Sequence, residues 1–191
     1  MGIFRKKEPA DATLPKTDAE KWVTYCYAMW SKYANGDWHY IAGSVEFSKS
    51  EGASMRVMLR RDWEINNKDE LLDMVSYLTS FYEEGTDVEQ EDIAIGAWDL
   101  CRACQILGMG YLGGIIQRQE MFDESLKVGR IIQEYYHSWQ ELYESYLNGY
   151  RDWRSGNDNG AQEDIAERER ICDEILKSAD GPCSLSWNTV L

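Results

Sequence analysis

The chain has 191 residues, with 34 acidic and 20 basic side chains, and therefore a formal net charge of −14. This length suits a single domain, and a composition of 43% hydrophobic and 28% charged residues is typical of a globular protein. The acidic excess argues against nucleic-acid binding, because phosphate recognition needs Lys and Arg. No apolar run approaches the roughly 20 residues that a membrane-spanning helix needs.

The two ends of the chain are predicted to be tails on one helical domain. Residues 1–16 are interpreted as a disordered or loosely docked N-terminal tail, since their charges are not followed by the apolar stretch of a secretory signal. The all-helical domain is expected to cover residues 17–178, and residues 179–191 to form a loose C-terminal tail. Trp187 is the exception in that tail, and we expect it to dock on the domain.

The cysteine count is odd and shows no disulfide framework spacing, which predicts free thiols in a reducing cytoplasm. Cys101 and Cys104 form a C-x-x-C motif, but a zinc site would need a second pair. The motif falls inside a predicted helix on its apolar stripe, so we interpret both residues as buried structural cysteines. We therefore expect no metal and no cofactor.

Helical periodicity dominates the first part of the chain. Thr17 and Glu20 form a T-x-x-E capping box and open a helix that we expect to end at Asn35-Gly36. Residues 37–48 are interpreted as an ordered loop, and residues 52–60 as a short helix. A second capping box starts the next helix at Asn67, with a core face that runs from Leu71 to Phe81.

The following helix begins after an acidic connection and is apolar on two sides, because Ile95 and Ile106 lie opposite the main stripe. A helix of this kind is usually central in its bundle, and we expect it to stop at Gly108. Residues 110–116 are interpreted as a turn or short helical piece. A long helix then leads to a bend near His137-Ser138.

The last third of the chain continues the helical pattern. Residues 139–153 carry an aromatic stripe, residues 155–160 form a loop, and residues 161–177 form the last helix. The sequence as a whole predicts an all-α, single-domain bundle of about six to eight helices around an aromatic-rich core.

Two groups of polar residues could carry function. Asp99 and Arg102 are three residues apart on one helix and can form an ion pair, either as a structural lock on helix register or as an acid and an anion-binding group in a pocket. Ser138 and Glu141, with His137 before them, fit a helix capping box better than a nucleophilic serine, because adjacent helical residues do not face each other.

Surface charge and aromatic residues suggest a second kind of site. The chain has eight Trp and twelve Tyr residues, most of which belong in the core, while the rest could form an interaction patch. Two acidic runs are either solvated faces or a surface that attracts a basic partner; the second run covers residues 163–174. The first run is proposed as an acidic surface and contains Glu83, Glu84, Asp87, Glu89, Glu91 and Asp92.

Four segments occur in an order that resembles the bacterial domain-of-unknown-function family 1266. These segments are AWDLCR (97–102), GYLGGI (110–115), SWQE (138–141) and SYLNGYRDW (145–153), and the WEI at 63–65 is also similar to the family. The resemblance covers roughly residues 60–155 and implies an all-helical bacterial cytosolic protein without an established activity. It also implies a shared polar and aromatic set: Trp98, Asp99, Arg102, Ser138, Trp139, Glu141, Tyr146 and Gly149.

No catalytic or metal signature is present, so we favour a non-enzymatic interaction protein. Its partner would be another protein with a basic surface, and its role that of an immunity-like or regulatory inhibitor. The alternative is an enzyme or small-anion-binding protein with a pocket around Asp99, Arg102, Ser138 and Trp139. A homodimer through exposed aromatic residues is a third alternative.

Overall fold

The protein is described by a computed structural model that covers residues 12–83, 87–155 and 161–191. These ranges contain eight α-helices, three short 3₁₀ turns and no strand. The prediction of an all-α single-domain bundle is therefore confirmed. The helices are α1 Asp18–Tyr25, α2 Ala28–Tyr33, α3 Lys49–Trp63, α4 Lys68–Thr79, α5 Gln90–Leu112, α6 Arg118–Tyr135, α7 Trp139–Ser155 and α8 Ala161–Lys177.

The central helix of the bundle is α5, as predicted. It packs against α3, α4, α6 and α7, and its side chains are almost continuously buried from Leu100 to Leu112. Ile106 is fully buried, whereas Ile95 is 40% exposed. The second apolar side of α5 is therefore buried at Ile106 but exposed at Ile95.

The end of α5 also differs from the prediction. The helix does not stop at Gly108 but continues to Leu112, so the predicted turn over residues 110–116 begins too early. Gly110, inside the helix, packs closely against α4. A Cβ atom on Gly110 would lie 2.5 Å from the Leu71 side chain of α4, and glycine alone lets the two helices approach this far.

Two further helix boundaries, both near the N-terminus, differ from the prediction. The first predicted helix is broken at Tyr27, whose ψ of 22° separates α1 from α2, and the Tyr27 hydroxyl accepts a hydrogen bond from the backbone of Ala42. Helix α3 is longer than the predicted residues 52–60. Ser48 caps its start by accepting a hydrogen bond from the Glu51 backbone, an S-x-x-E signal that the sequence carries.

The predicted caps at Thr17, Asn67 and Ser138 are confirmed by hydrogen bonds to the backbone three residues later. Most stripe residues are buried, and Cys101 and Cys104 are buried free thiols as predicted. Three aromatic residues predicted to face the core are instead partly exposed: Tyr33 at 37%, Phe81 at 45% and Trp153 at 54%.

Both tails touch the bundle where the structure describes them. Residues 1–11 lie outside the described ranges, as does most of the predicted loop, residues 156–160. Thr13 is buried and accepts a hydrogen bond from the backbone of Ile41. The C-terminal tail is not loose, because Trp187 is held by hydrogen bonds at both its ring and its carbonyl. None of the helices in the described ranges is long and apolar enough to cross a membrane.

Candidate functional site

The seven candidate residues from the sequence do not share one cleft. Trp98, Asp99 and Arg102 on α5 meet Tyr146 on α7, whereas Ser138, Trp139 and Glu141 lie together at the start of α7. Tyr146 follows Trp139 by seven positions, which is about 10 Å along a helix. The structure therefore divides the set into two separate groups.

The group at the start of α7 caps that helix. Ser138 Oγ accepts a hydrogen bond from the Glu141 backbone at 3.1 Å, and the Glu141 carboxylate accepts one from the His137 backbone at 2.8 Å. Both side chains therefore satisfy N–H groups that the helix itself leaves unpaired. The imidazole of His137 takes no part, so no nucleophilic arrangement forms here.

Trp139 belongs to a closed aromatic cluster, here called the Trp22 cluster: Trp22, Tyr25, Trp139, Tyr143 and Trp187. Each of its three indole N–H groups donates to a backbone carbonyl, Trp22 to Trp187 at 3.0 Å, Trp139 to Leu185 at 3.0 Å and Trp187 to Tyr136 at 3.1 Å. Buried indoles need such partners. This cluster therefore holds the C-terminal segment against the bundle.

Trp98 is the centre of a second, open cluster. Its indole lies 5.0 Å from Tyr146, 5.3 Å from Tyr150 and 5.8 Å from Trp153, measured between ring centroids. Gly149 makes this possible, since a Cβ atom there would overlap Trp98 and lie 2.5 Å from the Ile95 carbonyl oxygen. The close contact of α5 and α7 thus brings the aromatic rings of both helices together.

Arg102 lies over two indole rings of this cluster. Its guanidinium carbon is 4.5 Å from the centroid of Trp63 and 4.6 Å from that of Trp98, and it donates to the Asp99 carboxylate at 3.1 Å. Burial raises the pKa of Asp99, and Arg102 opposes this effect. Burial likewise lowers the pKa of Arg102, and Asp99 opposes it. The pair is still accessible, with 44% of the Asp99 side chain exposed.

A second arginine reinforces the cluster from α8, and the sequence analysis missed it. Arg168 is only 7% exposed, lies 4.0 Å from the Tyr33 ring centroid and 4.1 Å from that of Tyr150, and donates to the Tyr146 hydroxyl at 3.3 Å. The available signal was its position between Ile165 and Cys172, on the apolar stripe of α8.

Three residues near Trp98 leave apolar or aromatic surface accessible. Ile95 precedes Asp99 by one turn of α5, and Trp153 follows Gly149 by one turn of α7. Ile95 is 40% and Trp153 54% exposed, and Trp63 is half-buried at the end of α3. We call the accessible set Trp63, Ile95, Trp98, Asp99, Arg102 and Trp153 the Trp98 face.

The first acidic run lies next to this face, at the start of α5. Glu83, Asp87, Glu89 and Glu91 are exposed, and in the described ranges no basic side chain lies within ion-pair distance of these four. Asp92 and Glu89 also form the capping box at the start of α5: the Asp92 carboxylate accepts a hydrogen bond from the Glu89 backbone, and the Glu89 side chain accepts one from the Asp92 backbone. The sixth predicted residue, Glu84, lies outside the described residues.

The second acidic run, on α8, is largely neutralised by basic neighbours. Each of these contacts is an ion pair: Asp164 with Arg154, Glu169 with Arg151, Glu167 and Glu174 with Arg170, Glu174 also with Lys32, and Asp173 with Lys177. Of the two acidic runs, the first therefore keeps the carboxylates without an ion pair in the described ranges: Glu83, Asp87, Glu89 and Glu91, here called the acidic segment.

The His, Cys, Asp and Glu side chains of the described ranges form no metal-binding cluster, and most of the thiols are buried. No group of three His, Cys, Asp or Glu side chains is arranged there to hold a metal ion. All five cysteines are free, and four of them are buried. Burial raises the pKa of the Cys101 thiol well above its ordinary value, so this thiol is a poor nucleophile.

Comparison with known proteins identifies the family. A family model described as protein of unknown function (DUF1266) matches residues 80–190, and the chain belongs to this family. The match begins later than the resemblance expected from the sequence, leaves out Trp63, and extends through the C-terminal segment that holds Trp187. No curated protein and no solved structure matches the chain.

Proposed function

We propose that the protein is a non-enzymatic cytoplasmic interaction module that binds a basic partner protein through the Trp98 face and the acidic segment. The role that fits this arrangement is that of an immunity-like or regulatory inhibitor. A basic surface on the partner would be covered by the acidic segment, while apolar side chains of the partner would pack on Trp153 and Ile95.

The single observation that carries the proposal is the exposure of Trp153 and Ile95 beside the stacked Arg102. Trp, Tyr and Arg are the residues that dominate binding energy at protein interfaces. Here a tryptophan and an isoleucine expose 54% and 40% of their surface, while Arg102 is held in place by two indole rings. Such a rigid and partly apolar surface loses little side-chain entropy on binding.

Charge supports a basic partner in particular. The net charge is −14, and the acidic segment has no ion pair in the described ranges, in contrast to α8. Because Glu91, Ile95 and Asp99 follow one another at four-residue intervals, they lie along one side of α5. Unpaired acids around an apolar centre would speed encounter with a basic protein and reject acidic ones.

The two alternatives fit the geometry less well. An enzyme or small-anion pocket would need Asp99, Arg102, Ser138 and Trp139 in one place, but they fall into separate groups. A homodimer through the Trp98 face would bring two copies of the acidic segment close to each other, and the like charges would repel. A basic partner avoids both difficulties.

Site-specific photo-crosslinking tests the proposal. A benzophenone amino acid replaces Trp153 in the full chain, the protein is expressed in its native host, and the crosslinked products are identified by mass spectrometry. We expect one dominant partner with a basic surface, crosslinked in stoichiometric yield. The yield should fall with rising salt, because screening weakens the contribution of the acidic segment.

A matched control places the same amino acid at Tyr77 on α4, which is 76% exposed and lies outside the Trp98 face. Position 77 should give no dominant product. Equal products at both positions, no stoichiometric product at position 153, or crosslinks only to a second copy of the chain would overturn the proposal.

A further inference from the structure

One of the two carboxylate oxygens of Asp99 is free to accept a further hydrogen bond. Its Oδ1 atom accepts one from Arg102 Nη1 at 3.1 Å, whereas Oδ2 has no partner in the described ranges. Arginine and carboxylate side chains frequently pair through two parallel hydrogen bonds. Arg102 makes only one, and its guanidinium lies over the indoles of Trp63 and Trp98. The pair within the chain therefore leaves Oδ2 to another donor.

This oxygen can be reached from solvent. The Asp99 side chain is 44% exposed, and Oδ2 is not one of the unpartnered polar atoms that the chain covers completely. Ile95 lies one turn before Asp99 on the same side of α5 and is 40% exposed. The free oxygen therefore belongs to the Trp98 face and lies beside accessible apolar surface.

The hydroxyl of Tyr82 is a second polar group without a partner, and it lies beside Asp99. The Tyr82 ring packs against Gly96, one turn before Asp99, where a Cβ atom would overlap the hydroxyl. Tyr82 is 6% exposed, and among the described residues its hydroxyl has no hydrogen-bond partner. Like Asp99 Oδ2, this hydroxyl is not completely covered by the chain. Because buried tyrosines usually find a partner for the hydroxyl, this one indicates a group that binds from outside.

Electrostatics at this place favour a positively charged group. Burial, and then the negative charge of Asp99, raise the pKa of Tyr82 to about 12, so at pH 7 the hydroxyl is neutral and its oxygen can accept a hydrogen bond. Burial also raises the pKa of Asp99, which means that its carboxylate lacks part of the solvation it would have in water. A cationic donor on Oδ2 would replace that solvation.

We propose that Asp99 and Tyr82 form the recognition site for one basic side chain of the partner, a lysine or an arginine. Its N–H groups donate to Asp99 Oδ2 and to the Tyr82 hydroxyl, and its methylene stem packs on Ile95. Arg102 stays on Oδ1, so the carboxylate bridges two cations. This inference rests on the proposed function for the nature of the partner. The acidic segment attracts that partner from a distance, whereas Asp99 selects it by direct contact.

Nα-acetyl-arginine methylamide tests the site without the partner. The compound is titrated at pH 7 into the full chain labelled with ¹³C and ¹⁵N, and resonances of the Asp99 carboxyl carbon, the Ile95 methyl groups and the Tyr82 ring are followed. We expect saturable shifts at all three, with affinity in the millimolar range. The citrulline derivative, which has a similar shape but no charge, should cause none. Absence of saturable shifts with the arginine compound, or equal shifts with citrulline, would overturn the proposal.

Variants identify the binding groups, with the Ile95 methyl groups as the readout. Asp99→Asn should weaken binding of the arginine compound at least about tenfold, since it removes the charge-assisted contact. Tyr82→Phe should weaken it several-fold and leave Tm unchanged, because the hydroxyl has no partner in the described ranges. Asp73→Asn, an exposed change of the same kind on α4, should leave binding unchanged. Wild-type affinity in both Asp99→Asn and Tyr82→Phe would contradict the proposal.

The partner crosslinked at position 153 separates this inference from the proposed function. We expect Asp99→Asn to weaken binding of that partner at least about tenfold. If the partner binds Asp99→Asn as tightly as the wild type, the contact at Asp99 is wrong and the interaction surface stands. If no partner is crosslinked but the arginine compound binds at Asp99 as expected, the proposed function fails and the site for a basic side chain stands.

Discussion

The two aromatic clusters are built from the same residue types but differ in what their polar groups contact. In the Trp22 cluster, every indole N–H donates to a backbone carbonyl, and Trp22 and Trp139 are almost completely buried. In the second cluster, which consists of Trp98, Tyr146, Tyr150 and Trp153, two arginines lie over the rings, and Trp153 is more than half exposed. The Trp22 cluster holds the C-terminal segment against the bundle, whereas the second cluster leaves an aromatic surface with bound arginine side chains accessible.

The difference shows that a tryptophan stripe does not reveal its role by spacing alone. Trp139 and Trp153 lie on the same helix, fourteen residues apart, and occupy equivalent positions on its aromatic stripe. Trp139 meets the C-terminal segment, which supplies the carbonyl of Leu185. Trp153 lies near the end of α7, and the described residues leave it 54% exposed. The following predictions test this contrast, from the largest expected effect to the smallest.

Trp139→Ala should cause the largest loss of stability. The side chain is 4% exposed and contacts Trp22, Tyr143 and Trp187, so truncation leaves a cavity and frees the C-terminal segment. We expect the free energy of unfolding to fall by about 3–5 kcal/mol, measured by urea denaturation with circular dichroism. A loss below about 1 kcal/mol would mean that the Trp22 cluster does not hold the fold.

Gly149→Ala should have the next largest effect, because the added methyl group meets Trp98 and the Ile95 carbonyl. The separation of α5 and α7 should cost about 1–3 kcal/mol and change the tryptophan fluorescence spectrum. Glu144→Ala, an exposed site on the same helix, is the control and should change stability by no more than about 0.5 kcal/mol. If Gly149→Ala and Glu144→Ala were equally stable, Gly149 would not be needed for close contact of α5 and α7.

Asp99→Asn tests whether the Asp99–Arg102 pair stabilises the fold. Burial raises the pKa of Asp99 above its ordinary 3.8, so the ionised carboxylate is less favourable in the folded than in the unfolded chain. The free energy of unfolding therefore falls as pH rises from about 3.8 through the raised pKa.

At pH 7 we accordingly expect Asp99→Asn to be as stable as the wild type or more stable, by less than about 1 kcal/mol because the group is partly solvated. The difference should shrink as the pH is lowered towards 4. The measurement is a series of urea denaturations between pH 4 and 7. A large loss of stability at pH 7 would show that the pair is a structural lock.

The double variant Asp87→Asn, Glu91→Gln should have the smallest effect on folding. Both side chains are exposed and without an ion pair in the described ranges, so the free energy of unfolding should stay within about 0.5 kcal/mol of the wild type. Their removal should slow association with a basic partner and weaken the salt dependence of the association rate, measured by stopped flow. An unchanged association rate would mean that the acidic segment is not part of the interface.

Much of the fold follows from local patterns in the sequence. The caps at Thr17, Asn67 and Ser138 place helix starts correctly because each depends on two residues three positions apart. The break at Tyr27 and the continuation of α5 past Gly108 could not be predicted in this way, since they depend on contacts with Ala42 and Leu71, which are distant in sequence.

The candidate site was only partly predictable for the same reason. Trp98, Asp99 and Arg102 are neighbours because they share one helix, and the close contact at Gly149 lets Tyr146 of α7 meet Trp98. Trp63 and Arg168 reach the cluster from α3 and α8, and no sequence spacing links those helices to α5. The exposure of Ile95 and Trp153 depends on where neighbouring helices end, which local patterns do not encode.

The most direct test of the contrast between the clusters is the Trp153→Ala variant, measured both for stability and for affinity to the partner crosslinked at position 153. Because the side chain is already more than half exposed, we predict a free energy of unfolding within about 1 kcal/mol of the wild type. We also predict a dissociation constant at least about tenfold weaker, as for a central aromatic residue of an interface. Wild-type affinity in a stably folded Trp153→Ala variant would contradict the assignment of the Trp98 face as a binding surface.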